Sequence, residues 1–193
     1  MPRTPMSVEQ RRVQRIRSLI LRIVLYFVGL GLSILLGYLA IRYLGNEVVV
    51  IDQSMAPGLE NEDVVLLNKL SYMIHSPRRN DVVVLSFGTS DNSPVYLRRI
   101  IGLPEETVRI EDGHIYVDDE ELDIKFNEDA ITDGGVAEEG ITLEEDEYFV
   151  ICDNYNEYTD DSRLDSIGTV TEDQIKGEAW LVWSPLSRLG LIR

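Results

Sequence analysis

The sequence predicts a mainly β, antiparallel domain behind one N-terminal transmembrane helix. Three observations predict it. Ile23 to Ile41 is a run of nineteen residues without a charge, flanked by Arg22 and Arg42. Beyond it come short runs of β-branched residues separated by turn signals, and no strongly periodic helix of twelve residues. The charge is divided: residues 1–22 carry six arginines against Glu9, whereas residues 43–193 carry 11 Lys+Arg and 33 Asp+Glu, a net of −22.

The elements follow in order. Residues 1–22 read as a basic cytoplasmic tail, because positive charge stays on the inner side of a membrane. Residues 23–41 are long enough, at about 1.5 Å per residue, to approach the roughly 30 Å hydrocarbon core. A cleavable leader would have a shorter apolar region, about 7–15 residues, ending in small-x-small. Here the end is Tyr38-Leu39-Ala40-Ile41-Arg42, which is bulky. Gly29, Ser33 and Gly37 share one helix face, a spacing common in membrane helices. Residues 42–193 then form the extracytoplasmic β-domain. Its strand candidates are Val48–Ile51, Val64–Leu67, Val82–Phe87, Val95–Ile101, Thr107–Ile110, Ile115–Val117, Tyr148–Ile151 and Ala179–Trp183. Asp112-Gly113 is a hairpin signal between two of them. Residues 118–147 are acidic with few apolar side chains and read as a solvated insertion or long loop.

Composition excludes some functions. A domain this acidic repels phosphates, so no nucleic-acid partner is expected. Cys152 is the only cysteine, and His75 and His114 stand apart with no Cys/His cluster, so no metal site and no cofactor is expected.

Four segments carry chemistry. The first is Ser54-Met55-Ala56-Pro57, shortly after the anchor. The second is Asn80-Asp81-Val82-Val83-Val84, the third Tyr96-Leu97-Arg98-Arg99-Ile100-Ile101-Gly102-Leu103-Pro104. The fourth is Cys152-Asp153-Asn154 with Asp161-Ser162-Arg163, and Trp183-Ser184-Pro185 closes the domain. Together, and in this order, they resemble the type I signal peptidases, the membrane-bound Ser-Lys proteases that remove leader peptides. The family pattern at the third segment is Tyr-x-Lys-Arg-Val-Ile-Gly-Leu-Pro, so Arg98 stands where the lysine base is expected.

The resemblance implies a signal-peptidase-type β-domain and a set of roles. Ser54 matches the nucleophile, and position 98 the base that removes its proton. Asp161 and Arg163 match the ion pair that braces the base, and Thr159 aligns with the serine that hydrogen-bonds it. Met55, Pro57, Val82 and Val83 match the segments that hold an extended substrate strand with small residues before the cut.

The departures are concentrated at the same site. A guanidinium titrates at about 12.5–13.8, so neutralising it near pH 7 costs on the order of 8 kcal/mol, about twice the cost for lysine. Arg98 is therefore a poor base, although it can bind an oxyanion or hold Ser54. Asp52 stands where the family has glycine or an oxyanion-donating serine, and a carboxylate there opposes the oxyanion unless it pairs with Arg98. Gly58 replaces a threonine, and Cys152 a glycine. Lys69, Lys125, Lys176, His75 and His114 read as surface residues rather than substitute bases.

Two functions are consistent with these residues. One is a single-pass cell-membrane serine endopeptidase, N-terminus cytoplasmic, which removes leader peptides from exported precursor proteins. The other is a catalytically silent relative that binds extended segments of exported or surface proteins as a secretion or assembly accessory. The expected partners in both are exported precursors and membrane lipid.

Overall fold

The apolar stretch lies within one long helix, α1 (Val8–Leu44), which extends N-terminally through the arginine-rich segment. The structure is a computed structural model that describes residues 8–44, 46–88, 93–124, 126–127 and 129–192. The chain divides into two units, Met1–Arg42 and Tyr43–Arg193. Within the first, Arg17–Leu39 is a 23-residue span long and apolar enough to cross a membrane, and its side chains are exposed all round. At about 1.5 Å per residue it measures about 34 Å, sufficient for a hydrocarbon core. The Ser33 hydroxyl donates to the Gly29 carbonyl at 3.0 Å, within its own helix.

The second unit is mainly antiparallel β. Its strands are β1 (Asn46–Val49), β2 (Val64–Asn68), β3 (Val82–Leu85), β4 (Tyr96–Gly102), β5 (Thr107–Glu111), β6 (His114–Val117), β7 (Glu120–Glu121), β8 (Ile141–Thr142), β9 (Glu147–Ile151), β10 (Val170–Thr171), β11 (Ile175–Ser184) and β12 (Gly190–Leu191), with one short helix, α2 (Ser71–Ile74). One sheet runs β1-β2-β11-β3-β4-β9-β10, with β12 also on β11; the other runs β7-β6-β5-β8. The ten-residue β11 is the spine of the larger sheet, pairing with β12 and, through local bulges, with β2 and β3.

The expected strands all appear, most of them within a residue or two at each end, whereas β11 begins at Ile175, four residues before the expected Ala179. The Asp112-Gly113 hairpin joins β5 to β6, and both residues have positive φ (51° and 84°), as a type I′ turn requires. Asp118-Asp119 repeats that geometry between β6 and β7, at φ 51° and 65°. Segment 118–147 is loop-rich but buries Ile131, Ala137 and Leu143 against Val108, Ile110 and Phe149. These few well-spaced apolar residues suffice to fasten it to the domain.

β3 is buried at all four residues because both of its faces are covered. Val82 and Val84 pack with Met55, Leu59 and Leu97, whereas Val83 and Leu85 pack with Ile100 and Val150. Met55 and Leu59 therefore fix the Ser54 loop to the core, each stabilising by about 1.5–3 kcal/mol. In the β3–β4 register Arg98 faces Val83 and Arg99 faces Val82. Successive residues of a strand point to opposite faces, so these neighbouring arginines serve different sites.

Candidate active site

Ser54 lies in the turn between β1 and β2 and is only 2 % exposed. Its Oγ donates to Asp52 Oδ1 at 2.6 Å and accepts from Arg98 Nη1 at 3.1 Å. Its main-chain N–H also donates to Asp52 Oδ1, at 2.9 Å. Its carbonyl accepts from the Asn154 N–H at 2.9 Å, and the Asn154 amide donates to the Gln53 carbonyl at 3.3 Å. The loop is thus held from both sides of Ser54.

Arg98 is likewise 2 % exposed. Its Nε donates to the Asp160 carbonyl at 2.8 Å, its Nη1 also reaches the Leu97 carbonyl at 2.5 Å, and its guanidinium lies 5.7 Å from the Tyr96 ring centroid. Asp52 and Arg98 do not form the direct ion pair that their charges suggest. Ser54 Oγ stands between them, so each charge stabilises the other through the hydroxyl. Carbonyl dipoles at Nε and Nη1 offset part of the cost of burying this guanidinium.

The following loop braces the site. Arg163 forks onto Asp161 (Nε–Oδ1 2.9 Å, Nη2–Oδ2 2.8 Å) and donates to the carbonyls of Asp133, Tyr155 and Tyr158. Asp161 in turn accepts the Cys152 N–H at 2.9 Å. Ser162 exchanges hydrogen bonds with Val150 on β9, both at 3.0 Å. This clamp sets the Asp160 carbonyl against Arg98. Gly135 completes it: its φ is +54°, and a Cβ there would lie 2.1 Å from the Arg163 carbonyl. The acidic segment therefore buttresses the brace.

On the opposite face of β4, Arg99 forms a forked pair with Asp153 (2.7 and 2.6 Å) and donates to the Asn80 carbonyl at 2.8 Å. Burial pushes the Asp153 carboxyl above its ordinary range, and Arg99 pulls against it. Burial likewise raises the Cys152 thiol far above its ordinary range, with Arg98 lowering it only in part. Cys152 is thus a neutral packing residue, not a nucleophile.

The sequence-derived site residues divide accordingly. Ser54, Asp52 and Arg98 meet in one hydrogen-bonded row, and Asp161, Arg163 and Cys152 stand behind it. Thr159 is exposed; its carbonyl accepts from Asp161 N, and the atom that touches Arg98 is the carbonyl of the next residue, Asp160. Met55, Val82 and Val83 are buried in the core beneath the site, and Pro57 is exposed. Lys69 is half-buried, Lys176 is exposed and bonded to the Asp173 carbonyl, His75 contacts Ser71 and Ser76, and His114 pairs with Glu121. Lys125 lies outside the described residues. Arg99, Asp153 and Asn154 carry contacts that sequence reasoning did not assign. The adjacent Asp-Asn box and the double arginine were their only signals.

Comparisons with known proteins bear on the family. The family model described as "Signal peptidase, peptidase S26" matches residues 20–184. A Synechocystis sp. protein named "Probable signal peptidase I-2" is 31% identical over 144 residues, 72% of this chain and 63% of that protein. This chain thus spans less than two thirds of that relative's length. Signal peptidase I P of Bacillus subtilis subsp. natto is 28% identical over 165 residues, 82% of this chain and 87% of that protein. The crystal structure of a signal peptidase I from Enterococcus faecalis V583 superposes with a TM-score of 0.43 at 26% identity, covering 54% of this chain and 97% of that one. On the family model, which runs from within the apolar helix to the end of β11, this chain is a member of the signal peptidase, peptidase S26, family.

Proposed function

We propose that this chain is a membrane-anchored serine endopeptidase that removes leader peptides from exported precursor proteins, with Ser54 as nucleophile. The observation that carries the reading is the Ser54 hydroxyl, held between a carboxylate at 2.6 Å and a guanidinium at 3.1 Å. One group draws its proton and the other stabilises negative charge on its oxygen, which together polarise a hydroxyl otherwise too weak to attack an amide. The test is cleavage of a precursor with an Ala-x-Ala site by the full-length protein in detergent or vesicles. Cleavage after the second alanine, abolished by Ser54→Ala, is the expected result. A Ser54→Ala protein that cleaves as fast as the parent would remove Ser54 from the reaction.

A second reading, a catalytically silent binder of extended exported segments, is favoured by one observation. The position expected to hold a neutral lysine holds a buried guanidinium. Tight binding of the same precursor without cleavage at any pH is its signature.

The arginine excess before the span orients the chain with residues 1–22 in the cytoplasm and 43–193 outside. Protease added to wall-stripped cells is expected to digest the β-domain and spare an N-terminal tag. Protection of the domain would reverse the orientation.

A further inference from the structure

We propose that Asp52 is the proton acceptor of Ser54, with Arg98 as the cation that receives the developing oxyanion. The proposal rests on reading Ser54 as the nucleophile. It inverts the roles that the resemblance implies, in which position 98 holds the base and position 52 lies beside the oxyanion.

The geometry supports the assignment of the two residues. Asp52 is half-buried, and its Oδ1 lies 2.6 Å from Ser54 Oγ, within direct proton-transfer reach. The same oxygen is fixed by the Ser54 N–H at 2.9 Å, so it is aimed rather than merely near. Arg98 donates to Ser54 Oγ from the other side, and its Nε is anchored on the Asp160 carbonyl. No lysine or histidine among the described residues bonds to Ser54. In acylation, the Ser54 proton passes to Asp52 as Oγ bonds to the scissile carbonyl carbon and the carbonyl π pair moves onto oxygen beside Arg98. As the tetrahedral intermediate collapses, the C–N bond breaks and Asp52 returns the proton to the departing amine. Water then attacks the ester, giving its proton to Asp52, which delivers it to Ser54 Oγ as the acyl group leaves. Each proton taken up is returned, and water is the only co-reactant.

Among the described residues few charged or titratable groups compete. Arg98 and Tyr96 come from β4, and Cys152, Asp161 and Arg163 from the loop after β9. Of these, Asp161 and Arg163 are paired with one another, and Cys152 is a neutral thiol. A carboxylate base loses activity on acidification and gains none in the alkaline range where amines titrate.

The test measures acylation of Ser54 by p-nitrophenyl acetate, read by intact mass, in the full-length protein between pH 3.5 and 10. Precursor cleavage is followed in parallel. The expected wild-type rate falls on acidification and is flat above neutrality. Asp52→Asn keeps an oxygen for the Ser54 N–H but removes the base, and is expected to lower the acylation rate by about 10²–10⁴. Asp52→Gly is expected to regain at least about tenfold with added formate, a readout that a purely structural role would not give. Asp52→Asn acylating as fast as wild type, or a wild-type rate that climbs through pH 8–10, overturns the proposal. Asp52-dependent acylation without precursor cleavage supports the proposal and removes the endopeptidase reading. Ser54-dependent cleavage undiminished in Asp52→Asn does the reverse, and absence of both reactions overturns both.

Discussion

The double variant Arg98→Lys/Asp52→Ser is expected to cleave with a rate that climbs between about pH 7 and 9, a limb that the parent lacks. The reason is a change of base. Asp52→Ser alone leaves Ser54 between a neutral hydroxyl and a guanidinium that does not release its proton, so a loss of about 10²–10⁴ is expected. Arg98→Lys alone places an ammonium close to the Asp52 carboxylate, which favours the charged form and keeps the lysine from acting as a base. It also forfeits the Nε contact to the Asp160 carbonyl. With both changes the carboxylate is gone, and a lysine in a position now 2 % exposed is desolvated towards its neutral form. Above pH 8 the double variant should exceed Asp52→Ser by at least about tenfold and also exceed Arg98→Lys. The measurement is kcat/KM for one precursor across pH in all four proteins. Equal profiles in the double variant and the parent would show that neither residue is the base.

Asp153→Ala is expected to destabilise the β-domain by about 3–5 kcal/mol, the typical cost of leaving one partner of a buried pair uncompensated. Asp153 is 0 % exposed, and its loss leaves Arg99 with the Asn80 carbonyl and the face of Phe126, 4.6 Å from the ring centroid. For a domain of this size the change corresponds to a fall in Tm of roughly 6–20 °C. Replacing both partners, Arg99→Met with Asp153→Leu, is expected to cost far less, because no lone charge remains. Urea unfolding of the three proteins decides it. A single variant within about 1 kcal/mol of the parent would mean that the Arg99 charge finds water or another partner.

Much of the fold was legible because it depends on local pattern. The uncharged run gave the helix, and β-branched runs bounded by turn residues gave the eight principal strands. The two-residue strands β7, β8, β10 and β12 were not legible, since a pair of residues has no periodicity. The β6–β7 hairpin escaped notice because Asp118-Asp119 makes the turn without a glycine. In segment 118–147 the acidic composition concealed Ile131, Ala137 and Leu143, which are sparse in sequence but converge on one core.

The sequence by itself determined the membrane-length helix, the mainly antiparallel β class, the family resemblance and the residues brought to the site: Ser54, Asp52, Arg98 and the Asp161–Arg163 brace. Tertiary structure alone decided how they connect. Asp52 and Arg98 read as a charge pair, yet Ser54 Oγ stands between them. That outcome depends on distances of a few tenths of an ångström between residues 44 positions apart, set by how the β1–β2 turn seats Met55 and Leu59 in the core. Arg98 is also steadied by a main-chain carbonyl, Asp160, and every residue has a carbonyl. Side-chain identity therefore carries no signal for that contact, and only the folded path of the chain selects it.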